Sequence, residues 1–185
     1  MLRGKLNLDE ISDGRLYSSN DMAKTDCKGC DGCSACCHGM GNSIVLDPLD
    51  VYRLSTNLSK SVNELLTGPL ELNVVDGIIL PNLKMARAEE ACSFLDTNGR
   101  CTVHAFRPGI CRMFPLGRFY ENRSFQYFLQ IHECPKTDRS KVKIKKWLDT
   151  PNLKTYGKIY SRLAFLSERP SGICYESCFR FFCEF

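Results

Sequence analysis

Eleven residues carry five thiols in the run Cys27-Lys-Gly-Cys30-Asp-Gly-Cys33-Ser-Ala-Cys36-Cys37, and no other stretch narrows the fold as much. Gly29, Gly32, Ser34 and Ala35 put little bulk between the sulfurs. Glycine also permits the positive-φ turns by which a backbone wraps around an ion. A C-x2-C spacing places two thiolates on one metal, and here it repeats without a break. The loop reads as one half of a cysteine-ligated metal centre, with the other half downstream.

Twelve cysteines in 185 residues admit three readings: metal ligands, a disulfide framework, or ordinary buried thiols. The residues from Met1 to Asn7 begin no secretory leader, since no apolar run follows their basic positions. No stretch approaches the length of a membrane span. A cytoplasmic chain with clustered cysteines favours metal over cystine. The expectation is therefore a cytoplasmic protein with no membrane contact. A net charge of +4, with Lys and Arg scattered along the chain, argues against nucleic acid as a partner. Eight thiolates holding two divalent ions would add about −4 and offset that excess. The partner or substrate expected is a protein of unknown identity.

Around the loop the chain reads as a small mixed α+β domain. It has irregular metal-organised loops, short antiparallel hairpins and C-terminal helices. Residues 1–26 are polar and turn-rich, an arm; 27–136 form the cysteine-cluster domain; 137–185 form a helical extension packed on it. After the loop, Asn42 to Asp47 make a short apolar strand. Asp47 then serves as N-cap, with Pro48 in the first helical position and Asp50 in the first turn. Leu49, Val51, Tyr52 and Leu54 supply that helix's buried face. Ser61-Val-Asn-Glu64 is a second, capping-box start, with Gly68 as the stop. Leu72–Val75 and Ile78–Leu80 flank Asp76-Gly77, the strongest hairpin signal in the chain. Leu83–Arg87 offers a third strand, and Phe119–Tyr120 with Phe125–Ile131 a further hairpin. Val142–Leu148 and Leu153–Leu166 are helical by period, the second with Leu153, Tyr156, Ile159, Tyr160, Leu163 and Leu166 on one face.

Past the loop the cysteines continue at Cys92, Cys101, Cys111 and Cys134. Pro108 three residues before Cys111 predicts a helix first turn, where N–H groups and the helix dipole favour thiolate. Arg107 and Arg112 flank this cysteine and would offset negative charge in a thiolate-rich site. The run Cys30-x2-Cys33-x2-Cys36-Cys37 resembles the signature of the YkgJ-like cysteine-cluster family, described as zinc- or iron-chelating. So does the later series Cys92-Ser-Phe-Leu, Gly99-Arg-Cys101, Arg107-Pro108-x2-Cys111-Arg112-x-Phe114-Pro115 and Cys134-Pro135, with Asp50 as the family's aspartate after the cluster. Flagellin N-methylases carry a similar cluster, which implies that some relatives support a protein-modifying reaction.

The resemblance implies eight ligands: Cys30, Cys33, Cys36, Cys37, Cys92, Cys101, Cys111 and Cys134. Two tetrahedral sites of four thiolates would use them all, whereas one four-iron cluster would use four. Cys36 and Cys37, adjacent on an extended backbone, would point to opposite faces and reach into two neighbouring sites or an extended cluster. Cys27, Cys174, Cys178 and Cys183 lie outside the signature and are candidates for an additional metal site. His132, two residues before Cys134, is the better placed of the histidines to hydrogen-bond to a ligand; His38 and His104 are weaker candidates. The expected cofactor is zinc or an iron–sulfur cluster, which soft thiolates suit equally. Two rival functions stand beside metal binding: a metal-dependent protein-modifying enzyme, methylase-like or redox, and an interaction module stapled by its metal. Catalytic residues cannot be assigned, since no Gly-rich nucleotide loop and no serine-nucleophile motif is present.

Overall fold

Alternating burial, not net polarity, decides what the first residues do. The structure is a computed structural model that describes residues 7–29, 33–75, 77–86, 90–122 and 124–164. A single turn, α1 (Leu8–Ile11), leads into β1 (Ser12–Tyr17) and β2 (Met22–Asp26). The sequence here suggests a polar arm, yet Ala23 and Thr25 on β2 are almost wholly enclosed while Met22 and Lys24 face outward. That is the period-two pattern of a half-buried strand.

The two capped starts appear as the sequence predicts. In α2 (Pro48–Leu58), Asp47 accepts from the Asp50 N–H at 2.8 Å, and Asp50 returns the bond from the Asp47 N–H at 3.3 Å. Ser61 and Glu64 reciprocate in the same way at α3 (Val62–Leu66). Val51 and Leu54 bury their side chains, but Tyr52, expected on the same face, is 57% exposed. The stretch before α2 forms no strand: Val45 makes one bridge, to Asn82.

The hairpin of β3 (Leu70–Val75) and β4 (Ile78–Leu83) follows, in the register Leu70↔Leu83 and Val74↔Ile79. The expected third strand does not extend this sheet. Instead β5 (Met85–Ala86) pairs with β6 (Ala91–Cys92). After α4 (Gly109–Met113), β7 (Leu116–Glu121) and β8 (Ser124–Gln130) form the other expected hairpin, and β1 joins it in the order β1-β8-β7. Residues 142–143, read as helical, belong to β9 (Ser140–Lys143), which pairs with β2. Only then come α5 (Ile144–Leu148) and α6 (Leu153–Ala164). The side chains of Ile159, Tyr160 and Leu163, and all of Leu166, lie outside the described set. Among the described residues no helix is long and apolar enough to cross a membrane.

Two cores result. One gathers Ile44, Leu46, Val51, Leu54, Leu65, Leu70, Leu83, Cys92 and Val103 from α2, α3 and the hairpin base. The other gathers Ala23, Met113, Leu116, Tyr127, Leu129, Ile144 and Leu148. Ile110 packs against both, so α4 lies at their junction. The Trp147 N–H donates to the carbonyls of Met113 and Phe114 at 3.3 and 3.1 Å and fastens α5 to the end of α4.

On the face of the β7–β8 hairpin turned away from the second core, Gly117 sits opposite Phe128, and a Cβ there would stand 2.3 Å from the ring. Gly117→Ala is expected to destabilise the protein by about 1–3 kcal/mol, the usual cost of overpacking. Gly117→Ala/Phe128→Leu should recover part of that loss. A urea midpoint for the single variant equal to that of the wild type would contradict the packing described here.

Candidate metal centre

Backbone pairing brings the two cysteine segments together. Ala35–Cys37 wind into a 3-10 turn closed by the Cys37 N–H on the Ser34 carbonyl at 2.8 Å. The next residues are pinned to β6: His38 bridges Ala91, and the Gly39 N–H donates to the Glu90 carbonyl at 3.0 Å. Cys37 is thereby carried to Cys92. Cys101 comes alongside through the Leu95↔Cys101 bridge and the Thr102 N–H on the Phe94 carbonyl at 2.9 Å. This turn abuts the first loop, since a Cβ on Gly99 would lie 3.7 Å from the Ser34 hydroxyl. Cys111 arrives on α4, at the junction of the cores.

Cys92 lies in the first core with Cys37, Cys101 and Cys111 packed against it, and the charge of Cys36 bears on all four. Hydrogen bonding to Cys36 raises the Cys37 thiol first, and burial and the charges of Cys36, Cys92 and Cys101 add to it. Burial leads for Cys92 and for Cys101, both raised. Cys36 moves the other way, to about 7, because the Cys37 thiol donates to it and Arg107 lies near; burial opposes the shift.

Two local expectations are overturned. Cys36 and Cys37 sit on a 3-10 turn, not on the extended backbone that would send adjacent side chains to opposite faces. The Cys111 thiol is pushed up, not down: burial dominates, and the charges of Cys92 and Asp50 add to it. The first amide of α4 is also already engaged, since the Gly109 N–H donates to the Asp50 carboxyl at 2.8 Å.

The remaining candidates stand as follows. Cys33 and Cys134 are half-buried free thiols and are not among the principal charges acting on the five. Cys27 is half-buried just after β2. Cys30, Cys174, Cys178 and Cys183 lie outside the described residues. Arg107 acts electrostatically on both Cys36 and Cys101, and its guanidinium meets the His104 ring. Arg112 is only 5% exposed, and its Nε and one Nη have no hydrogen-bond partner. His132 is exposed. His38 is exposed too, and its Nε2 lies 3.4 Å from the Ser34 hydroxyl.

Asp50 is the residue whose role sequence reading understates. The capping box accounts for one of its oxygens, but the other reaches across 59 positions to Gly109 and clips α2 to the helix that carries Cys111. It is 3% exposed, and burial, reinforced by Asp47, pushes its carboxyl up to about 8.

Among the described residues, no three His, Cys, Asp or Glu side chains are already arranged to hold an ion. The donor set nevertheless fits a soft metal, since thiolates are the preferred ligands of zinc and of iron–sulfur centres. The buried Arg112, with donors to spare, fits the negative charge such a centre would carry. No curated protein and no solved structure matches the chain. Residues 29–135 match the cysteine-cluster family described as a "putative zinc- or iron-chelating domain" and written CxxCxxCC, and the chain belongs to that family.

Proposed function

We propose that the chain binds zinc or an iron–sulfur cluster through Cys30, Cys33, Cys36, Cys37, Cys92, Cys101, Cys111 and Cys134. The gathering of Cys37, Cys92, Cys101 and Cys111 at one core, with Cys36 beside Cys37 on the 3-10 turn, carries this reading, because these thiols come from segments far apart in sequence. They exceed the four ligands of one tetrahedral ion, which favours two ions or a polynuclear centre over a single site. Arg107 and Arg112 supply compensating positive charge. Residues 27–136 carry the centre, 1–26 and 137–185 flank it, and the compartment is the cytoplasm. Cys27, Cys174, Cys178 and Cys183 are additional candidates, and His132 a residue that hydrogen-bonds to a ligand.

A centre ligated only by thiolates and closed to solvent serves structure; catalysis needs an open coordination position. An enzyme that modifies proteins, or an interaction module held in shape by its metal, are the functions such a centre would support. Anaerobic purification followed by an optical spectrum and elemental analysis tests the assignment. Broad visible absorption with iron and sulfide identifies a cluster, and a colourless protein carrying zinc identifies structural ions. Intact, reduced, folded protein that carries neither zinc nor iron would overturn it.

A further inference from the structure

Lysines that look scattered in sequence converge on one ribbon. In the β2–β9 pair, Ala23 and Thr25 turn inward, and Lys24, Lys141 and Lys143 face solvent. The register sets Lys24 directly opposite Lys141, a like-charge pair that costs stability in the isolated protein. The ribbon runs straight into α5. There the N–H groups of Ile144 and Lys145 donate to the carbonyls of Asp21 and Ser19 at 3.0 and 2.8 Å. Ile144 and Leu148 are buried, so Lys145 and Lys146 continue the exposed basic surface.

Each neighbouring carboxylate already has a partner, and Asp26, on the ribbon itself, lies at the end away from Lys143. Asp21 accepts from the Ser18 N–H at 2.6 Å, and Asp26 accepts from the Lys28 N–H at 2.8 Å and the Ser140 hydroxyl at 3.2 Å. Asp138 pairs with Lys28 at 3.3 Å. Among the described residues β9 has no second neighbour, so its outer edge offers backbone N–H and C=O groups.

Lysine on an edge strand ordinarily keeps other strands away. It repels a neutral or basic strand, however, and attracts an acidic one. A guard at the edge has no need of a second lysine placed across the ribbon, against the first. We propose that the β2–β9 ribbon docks an extended acidic segment of a protein partner. That segment adds along the β9 edge and sets a carboxylate at every second position beside Lys141 and Lys143, with Lys24 one strand further in and Lys145 and Lys146 extending the contact. A nucleic acid would use the charge but not the edge. Among the described residues this surface also lacks an exposed aromatic for base stacking, since Trp147 is half-buried with its N–H turned inward.

The probe is a fluorescent synthetic peptide of alternating Glu and Thr, titrated with the intact chain. Saturable binding that weakens with salt is expected, and Lys141→Glu/Lys143→Glu should lower affinity by about tenfold or more. The same peptide N-methylated on alternate amides should bind much less well at equal charge. Circular dichroism and the urea midpoint establish that the variant folds. Lys145→Glu/Lys146→Glu, on an exposed helix face, substitutes for it where it does not. The proposal is overturned by absence of saturable binding, by undiminished affinity in the folded variants, or by indifference to N-methylation. Tighter binding of a thymidine oligonucleotide or of anionic vesicles at the same salt would also overturn it.

Discussion

Chelation of the reduced protein is expected to release its metal and to unfold the half built on Leu54 and Val103 before the half built on Tyr127 and Ile144. Cys92 belongs to the first core, and Cys37, Cys101 and Cys111 pack against it. Four segments thus meet at that core through their cysteines: the 3-10 turn, β6, the turn ending at Cys101, and α4. Without an ion nothing offsets the Cys36 hydrogen bond that holds the Cys37 thiol protonated, or the burial and neighbouring charge that hold those of Cys92, Cys101 and Cys111, so the sulfurs lose what would draw these segments together. Structural zinc contributes about 10–16 kcal/mol to folding in zinc-finger peptides, as much as the whole stability of an ordinary domain. Losing even about 4 kcal/mol should lower Tm by roughly 8–16 °C in a chain of this size. Hydrogen exchange should show α2 and the β3–β4 hairpin losing protection first, with β7 and β8 holding longer. Cys101→Ser should reproduce the result without chelator. Unchanged melting after complete removal of metal would mean that the ions are not what holds these segments together.

Asp50→Ala should cost about 2–4 kcal/mol and loosen metal retention. It strands the N–H groups of Gly109 and Asp47, both in buried residues, and each orphaned donor is worth about 1–3 kcal/mol. Relief from burying a carboxyl offsets part of this. Asp50→Asn keeps an acceptor for Gly109 and should cost less. The two variants also differ from the wild type in pH response. The carboxyl lies near 3.8 ordinarily and is pushed up to about 8 in the fold, by burial first and Asp47 second. Between those values the native state holds a proton that the unfolded chain has released, so stability falls as pH rises. The contribution of Asp50 is complete below about pH 3.8 and is lost as pH rises through about 8. Acid also expels metal from thiolates, an opposite trend that is common to all three proteins. The difference in urea midpoint between wild type and Asp50→Asn therefore isolates the carboxyl. It should shrink as pH rises from about 6 to 9. A constant difference would mean that Asp50 is ionised throughout.

Some of this was open to reading from residues close together in the chain. Asp47-Pro48 and Ser61 through Glu64 announce helix starts because a cap depends on atoms three residues apart. Asp76-Gly77 between apolar runs announces a hairpin for a similar reason. The failures also share a cause. Residues 12–26 look like a polar arm until β8 and β9 supply their pairing partners. Val142 and Lys143 fit a helical period, but opposite Ala23 and Met22 they are strand. Tyr52 fits the apolar stripe of α2, although its own side chain meets solvent while Val51 and Leu54 are buried.

The cysteine donors, their spacing and the family they mark were determined by the sequence alone, because a ligand's chemistry belongs to the side chain itself. Tertiary structure decided which thiols lie at the first core, why Cys111 is raised when its helix position predicts the reverse, and how Asp50 joins α2 to α4. It also gathered lysines more than a hundred positions apart onto one ribbon. Burial and Coulomb forces act through space, and distance along the chain does not measure them.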